Sequence, residues 1–77
     1  MVKPTRVANS VRALRFAAGE MTQAELADRI GVTRQTVIAI EQARYSPSIE
    51  MAFKIARVFG VGLDDVFQYP YPDDGQK

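Results

Sequence analysis

The sequence contains no cysteine and no histidine. Without cysteine there is no disulfide framework and no thiolate chemistry. Without either residue, zinc sites of the usual ligand sets, Ser-His-Asp triads and imidazole acid–base catalysis all fall away. There is also no Gly-rich phosphate loop and no convergent carboxylate pair, so an enzyme is the least supported class, and neither cofactor nor metal is expected. The opening residues, MVKPTRVANS, hold no apolar run that could act as a signal peptide. Nothing approaches the ~18 apolar residues that span a bilayer. A cytoplasmic chain without a membrane partner is the expectation. No internal repeat, no linker and no strand signal is found.

What remains is globular in composition. Of 77 residues, 47% are apolar and 25% charged. That length predicts one domain with a small core, for which a homodimer is a natural state. The net charge of +1 hides an asymmetry. Residues 1–44 hold seven Lys/Arg against four acids, a net +3. Residues 45–77 hold three against five, a net −2. A basic half beside an acidic half points to a polyanion partner for the first half only.

Helical spacing runs through the chain. Val7, Val11, Leu14 and Ala18 recur at steps of four, three and four, predicting a first helix from about Val7 to Ala18, closed by Gly19. A second helix starts at the Thr22 cap. Glu25, three residues on, completes a capping box, and Met21 with Leu26 has staple spacing. Gly31 stops it. After the very short turn Gly31-Val32-Thr33, Thr33 caps a third helix of about residues 33–43. Its inner side is predicted to carry Val37, Ile40 and the stem of Arg44. A fourth helix starts at Ser48, ends at Gly60, and shows a wide apolar stripe of Ile49, Ala52, Phe53, Ile55, Ala56 and Phe59. A short fifth, LDDVF, carries Asp64 and Asp65 in its first turn, where the helix dipole favours anions. Phe53, Phe59 and Phe67 are expected in the core. The predicted fold is all-α, a compact five-helix bundle over residues 1–67. Residues 68–77 are expected to form a partly extended or disordered tail. In it, Tyr69, Pro70 and Tyr71 either cover a dimer seam or hang free, and Asp73 and Asp74 are solvated.

The second and third helices carry the functional signal. Their turn is too short for an antiparallel hairpin, so they must cross steeply, as in a helix-turn-helix. Ala27 sits at the crossing, Gly31 makes the bend, and Val37 and Ile40 anchor the third helix to the core. At 100° steps, Gln35, Ala39 and Gln42 gather on the opposite side, with Ile38 and Arg34 flanking. Glutamine can pair bidentately with adenine, and alanine or isoleucine methyls can meet a thymine methyl. These five are the candidate base contacts. Thr33, Thr36, Arg44, Tyr45 and Ser46 are candidate phosphate contacts. Gln23 joins them, at a helix N-terminus where free N–H groups favour an anion.

The stretches TQAELADRIGVTRQTVIAIEQARYSPS and AFKIARVFGVGLDDVF resemble the phage repressor and Cro-type helix-turn-helix regulators, often called the XRE family. The resemblance covers about Val7 to Phe67. It implies a five-helix, lambda repressor-like domain that binds a double-stranded DNA operator, usually as a homodimer on a near-palindromic site. It further implies that Gln23 clamps a backbone phosphate, and that Arg15 pairs with Glu41 so that its guanidinium reaches a phosphate. Two positions depart from the family pattern. Members commonly have glycine where Ala43 stands: either alanine takes a positive φ there at about 1 kcal/mol, or the third helix ends differently. The turn GEMTQ holds one residue more than the commonest pattern, which bears on the register of Arg15 against Gln23. The leading expectation is a sequence-specific transcriptional regulator, most simply a repressor. The alternative is a protein-interaction module, such as an antitoxin or anti-repressor, that grips a protein partner with its C-terminal half.

Overall fold

The computed structural model describes residues 5–44 and 46–70. In it the chain enters its first helix later than the spacing predicts. Ala8–Asn9 form a short strand, β1, and α1 runs only over Val11–Ala17. The cause lies in Asn9. Its Oδ1 accepts from the Val11 N–H at 3.1 Å, and its Nδ2 donates to the Ile40 carbonyl at 2.8 Å. An asparagine turned back on its own backbone offers an alternative to a helical turn. Ser10 then donates its N–H to the Val66 carbonyl, 2.8 Å away.

The remaining elements are α2 (Gln23–Ile30), α3 (Arg34–Glu41), α4 (Ile49–Phe59), α5 (Leu63–Val66) and β2 (Phe67–Gln68). β1 and β2 pair antiparallel, Ala8 opposite Gln68 and Asn9 opposite Phe67. The five helices are as expected; the ribbon corrects the expectation of no strand. Two residues per strand are too few to show a period of two. Phe67, assigned by the sequence to the fifth helix, is extended at φ −124° and ψ 139°. The capping predictions hold. Thr22 and Glu25 form the reciprocal box, and Thr33 and Ser48 accept from the N–H of Thr36 and Met51. The Asp65 carboxylate accepts from the Gly62 N–H at 3.1 Å, tying the entry to α5.

Three helices end alike. Val32, Arg44 and Val61 donate their N–H to the carbonyls of Ala27, Ala39 and Ala56, five residues back. Such a closure needs a left-handed residue just before the donor. Those residues are Gly31 (φ 78°), Ala43 (φ 56°) and Gly60 (φ 67°). Position 43 therefore does take the glycine conformation, and alanine bears the strain. The extra residue of the GEMTQ turn is absorbed by a pair of left-handed residues, Gly19 (φ 79°) and Glu20 (φ 60°).

The core gathers Val11 from α1, Leu26, Ala27 and Ile30 from α2, Val37 and Ile40 from α3, Ile55 and Ala56 from α4, and Val66 from α5. Phe59 and Phe67 are half-buried against it. Phe53 is not in the core: it is 55% exposed, and Ile49 is 75% exposed. α4 packs on α2 and α5, which cover the arc of Ala52, Ile55 and Ala56 and leave the Ile49–Phe53 edge open. Ala18, placed by periodicity on the inner face of the first helix, is also exposed. Residues 71–77, with Tyr71, Asp73 and Asp74, lie outside the described residues. No described helix is long and apolar enough to cross a membrane.

Candidate nucleic-acid interface

α2 and α3 are separated by only Gly31, Val32 and Thr33. The left-handed Gly31 turns the chain, and the Thr33 hydroxyl restarts a helix at once by accepting from the Thr36 N–H at 3.3 Å. Val37 and Ile40 are 1% and 2% exposed, so α3 is pinned along one side. The opposite side faces outward. Arg34, Gln35 and Gln42 are exposed there, while Ala39 and Ile38 are half-buried. Ile38, which the helical pattern alone would leave exposed on that flank, is thus partly covered. The pattern also misplaces Arg44 on the inner side. The left-handed Ala43 ends the helical rotation one residue earlier, and Arg44 is exposed.

A polar cluster fixes α3 to its neighbours. Arg15 of α1 donates from Nε to Glu41 Oε2 at 2.6 Å and from Nη2 to Glu41 Oε1 at 3.0 Å. Its Nη1 donates to the Met21 carbonyl at 2.8 Å. Gln23, the first residue of α2, donates from Nε2 to Glu41 Oε1 at 3.1 Å. One carboxylate on α3 thus collects donors from α1 and α2. The two-bonded fork is the geometry in which an arginine–carboxylate pair is strongest and best oriented. The longer GEMTQ turn does not upset the register: Arg15 and Gln23 meet on the same acid. Arg15 itself is 7% exposed, so its guanidinium is a strut between helices rather than a group presented outward.

The hydroxyl candidates are partly committed inside the protein. Thr33 Oγ1 lies 3.1 Å from Thr36 Oγ1. Ser46 Oγ lies 2.6 Å from Thr5 Oγ1, and the Thr5 N–H donates to the Ala43 carbonyl at 3.2 Å. The leading segment thereby ties down the chain where it leaves α3. Tyr45 lies outside the described residues.

An open cleft of about 580 Å³ runs between the end of α1, the start of α2 and the outer edge of α3. Arg12, Phe16, Gln23, Arg34 and Gln42 line it. Arg12 is a residue that motif reasoning passed over. It is exposed, its guanidinium stands 5.4 Å from the centre of the Phe16 ring, and Arg15 stands 5.6 Å from the same ring. A cation over a ring face is held by the ring quadrupole. Arg12 and Phe16 are four apart, and this i, i+4 spacing with two arginines nearby was the signal available in the sequence. The cleft brings together three arginines, two glutamates, two amides and the N-terminus of α2. Arg15 and Glu41 engage each other, and the exposed Arg12 and Arg34 suit it to a phosphate backbone beside base edges.

Residues 11–66 match the family model described as helix-turn-helix. An uncharacterized HTH-type transcriptional regulator of Methanocaldococcus jannaschii is 53% identical over 53 residues, which is 69% of this chain and 80% of the relative. The uncharacterized HTH-type transcriptional regulator YgzD of Bacillus subtilis is 46% identical over 59 residues, 77% of this chain and 88% of its own length. Among solved structures, a hypothetical transcription factor, NHTF, from Neisseria superposes with a TM-score of 0.69 at 30% identity, covering 79% of this chain and 69% of that one. A Bacteroides fragilis protein shares the fold, with a TM-score of 0.71 at 21% identity, covering 80% of this chain and 98% of its own. With the match extending from the first residue of α1 to the last of α5, the chain belongs to the XRE-type family of helix-turn-helix proteins.

Proposed function

We propose that this chain is a sequence-specific double-stranded DNA-binding transcriptional regulator. It acts as a homodimer and represses by occupying its operator. The observation that carries the reading is the two-sidedness of α3. Val37, Ile40 and Glu41 hold the helix from within, while the exposed Gln35 and Gln42 and the methyls of Ala39 and Ile38 face out. Set into a major groove, those amides match adenine N6/N7 edges and those methyls match thymine. Arg34 is placed to reach a guanine or the groove wall. Gln23, Thr33, Thr36, Arg44 and Ser46 surround the face as phosphate contacts, and Arg12 joins them from α1. Arg15 serves them indirectly by holding Glu41, and through it Gln23. The regulators among its relatives are consistent with this role.

Selection of bound sequences from random duplexes tests the reading. The wild-type chain is expected to enrich a motif with two half-sites one helical turn apart, and Gln35→Ala to change the enriched base at one position per half-site. A selection that enriches nothing, or an identical motif from Gln35→Ala, would sink it.

A protein-interaction role for the C-terminal half is favoured by a separate observation, the exposed Ile49, Phe53 and Tyr69. These residues belong to α4 and the C-terminal segment rather than to α3, so the two roles are compatible. Removing residues 71–77 tests whether the tail takes part: loss of a captured partner with DNA binding intact would support it.

A further inference from the structure

The exposed apolar residues of α4 lie in a row. Ile49, Phe53 and Arg57 follow one another at four-residue steps and so form a single ridge. Ile49 and Phe53 are 75% and 55% exposed, and Arg57 is exposed. Beside the ridge, charge is divided between the two ends. Glu50 stands in the first turn; Lys54 and Arg57 stand in the second half, where they line a groove with Asp28 and Arg29 of α2. None of Glu50, Lys54 and Arg57 has an ion-pair partner among the described residues. An apolar centre flanked by an acid at one end and bases at the other is complementary to itself turned round.

We propose that this ridge is the seam on which a second copy of the chain docks, with the two α4 helices antiparallel about a two-fold axis at Phe53. This names the partner surface for the dimer of the reading above. At ~1.5 Å per residue, Glu50 lies roughly 4.5 Å to one side of Phe53 and Arg57 roughly 6 Å to the other. A two-fold turn about Phe53 therefore brings Glu50 of each copy to within roughly 1.5 Å, along the helix axis, of Arg57 on its mate. It also places the two Phe53 rings together and Ile49 against the stem of Arg57. Parallel packing would set Glu50 against Glu50 and Arg57 against Arg57, and like charges at close quarters repel. The charge pattern thus selects one orientation, and that orientation is isologous and closed. The ridge by itself is smaller than the roughly 800 Å² per partner of a standard interface. Association of the free chain is therefore weak, and tightens when both copies are held on one ligand.

Sedimentation equilibrium from low micromolar to millimolar concentration, without DNA, tests the seam independently of the DNA-binding reading. The wild type is expected to associate reversibly as a dimer. Phe53→Glu should weaken it at least about tenfold. Glu50→Arg and Arg57→Glu should each weaken it, and the double reversal should regain most of the loss. Far-UV circular dichroism checks that each variant is folded. The double reversal carries two charges that oppose the α4 dipole, so it is the worst variant for helix stability and the best for self-association. A stability artefact cannot produce that order. A wild type that stays monomeric at millimolar concentration overturns the proposal and leaves the ridge to a different protein. An unaffected Phe53→Glu, or a double reversal weaker than either single change, overturns it as well.

Discussion

Two helices show outward faces, and they are dressed differently. α3 presents amides and small methyls with Arg34 near its start. α4 presents Ile49 and Phe53 between charges of opposite sign. Both helices are anchored by the same kind of residue, Val37 and Ile40 in one and Ile55 and Ala56 in the other. Apart from the Glu41 cluster that also fastens α3, the difference lies in what the anchoring leaves outside. Hydrogen-bonding edges without net charge suit a surface that must discriminate among base edges. An apolar ridge with divided charge suits a surface that must find protein and fix its direction. On the proposed function and the proposed seam, one small domain keeps its two partners on separate helices.

The contrast can be broken from several directions. The severest is to unfasten α3. Glu41→Ala removes the acid that Arg15 and Gln23 share and strands a guanidinium only 7% exposed. Removing one partner of a buried pair costs roughly 3–5 kcal/mol. In a domain this small that leaves little folded population at 25 °C, which urea unfolding will show directly. Next comes the reading face itself. Gln35→Ala should leave stability within roughly 0.5 kcal/mol yet lower the affinity for the selected duplex by roughly 1–3 kcal/mol. Fluorescence anisotropy beside thermal unfolding separates the two effects. If both fall together, the α3 face is structural and the contrast with α4 fails.

A smaller effect, of opposite sign, is expected at the end of α3. Ala43→Gly relieves roughly 1–2 kcal/mol of left-handed strain and returns roughly 0.4–1 kcal/mol of chain entropy to the unfolded state. The net gain, centred on roughly 0.8 kcal/mol, should raise the melting temperature by a few degrees. An unchanged or lower melting temperature would mean that the strain at φ 56° is taken up elsewhere. The smallest effect sharpens the edge of the DNA surface. Arg12→Ala should reduce the slope of log affinity against log salt by about 1, with the preferred sequence unchanged. A changed motif instead would move Arg12 from the phosphate rim to the bases.

How far these faces could be read in advance follows from what each signal measures. Capping residues act within one turn, so Thr22, Glu25, Thr33 and Ser48 announced their helices correctly from sequence. The Ala27–Gly31–Val37–Ile40 spacing is also local, and it delivered the helix-turn-helix. Periodicity, by contrast, says which residues share a side but not how wide a neighbour covers it. Phe53 therefore looked like core. The same method carried Arg44 inward because a helical wheel does not know where the helix stops. The β1–β2 ribbon joins residues some sixty positions apart, and nothing in two residues advertises such a mate. At the candidate site, Arg15 and Glu41 were legible only through family resemblance, and Arg12 was present as charge but unplaced until Phe16 gave it an address.

The fastening of α3 has one more consequence. Its inward groups, Val37, Ile40 and Glu41, occupy a set of positions distinct from the outward ones, 34, 35, 38, 39 and 42. Substitutions at the exposed members, Arg34, Gln35 and Gln42, leave the inward set untouched. If the outward set reads DNA as proposed, such a scaffold can change its target by drift at a few letters while its folding stays under separate selection, and a lineage of these domains can diversify its vocabulary without relearning how to fold.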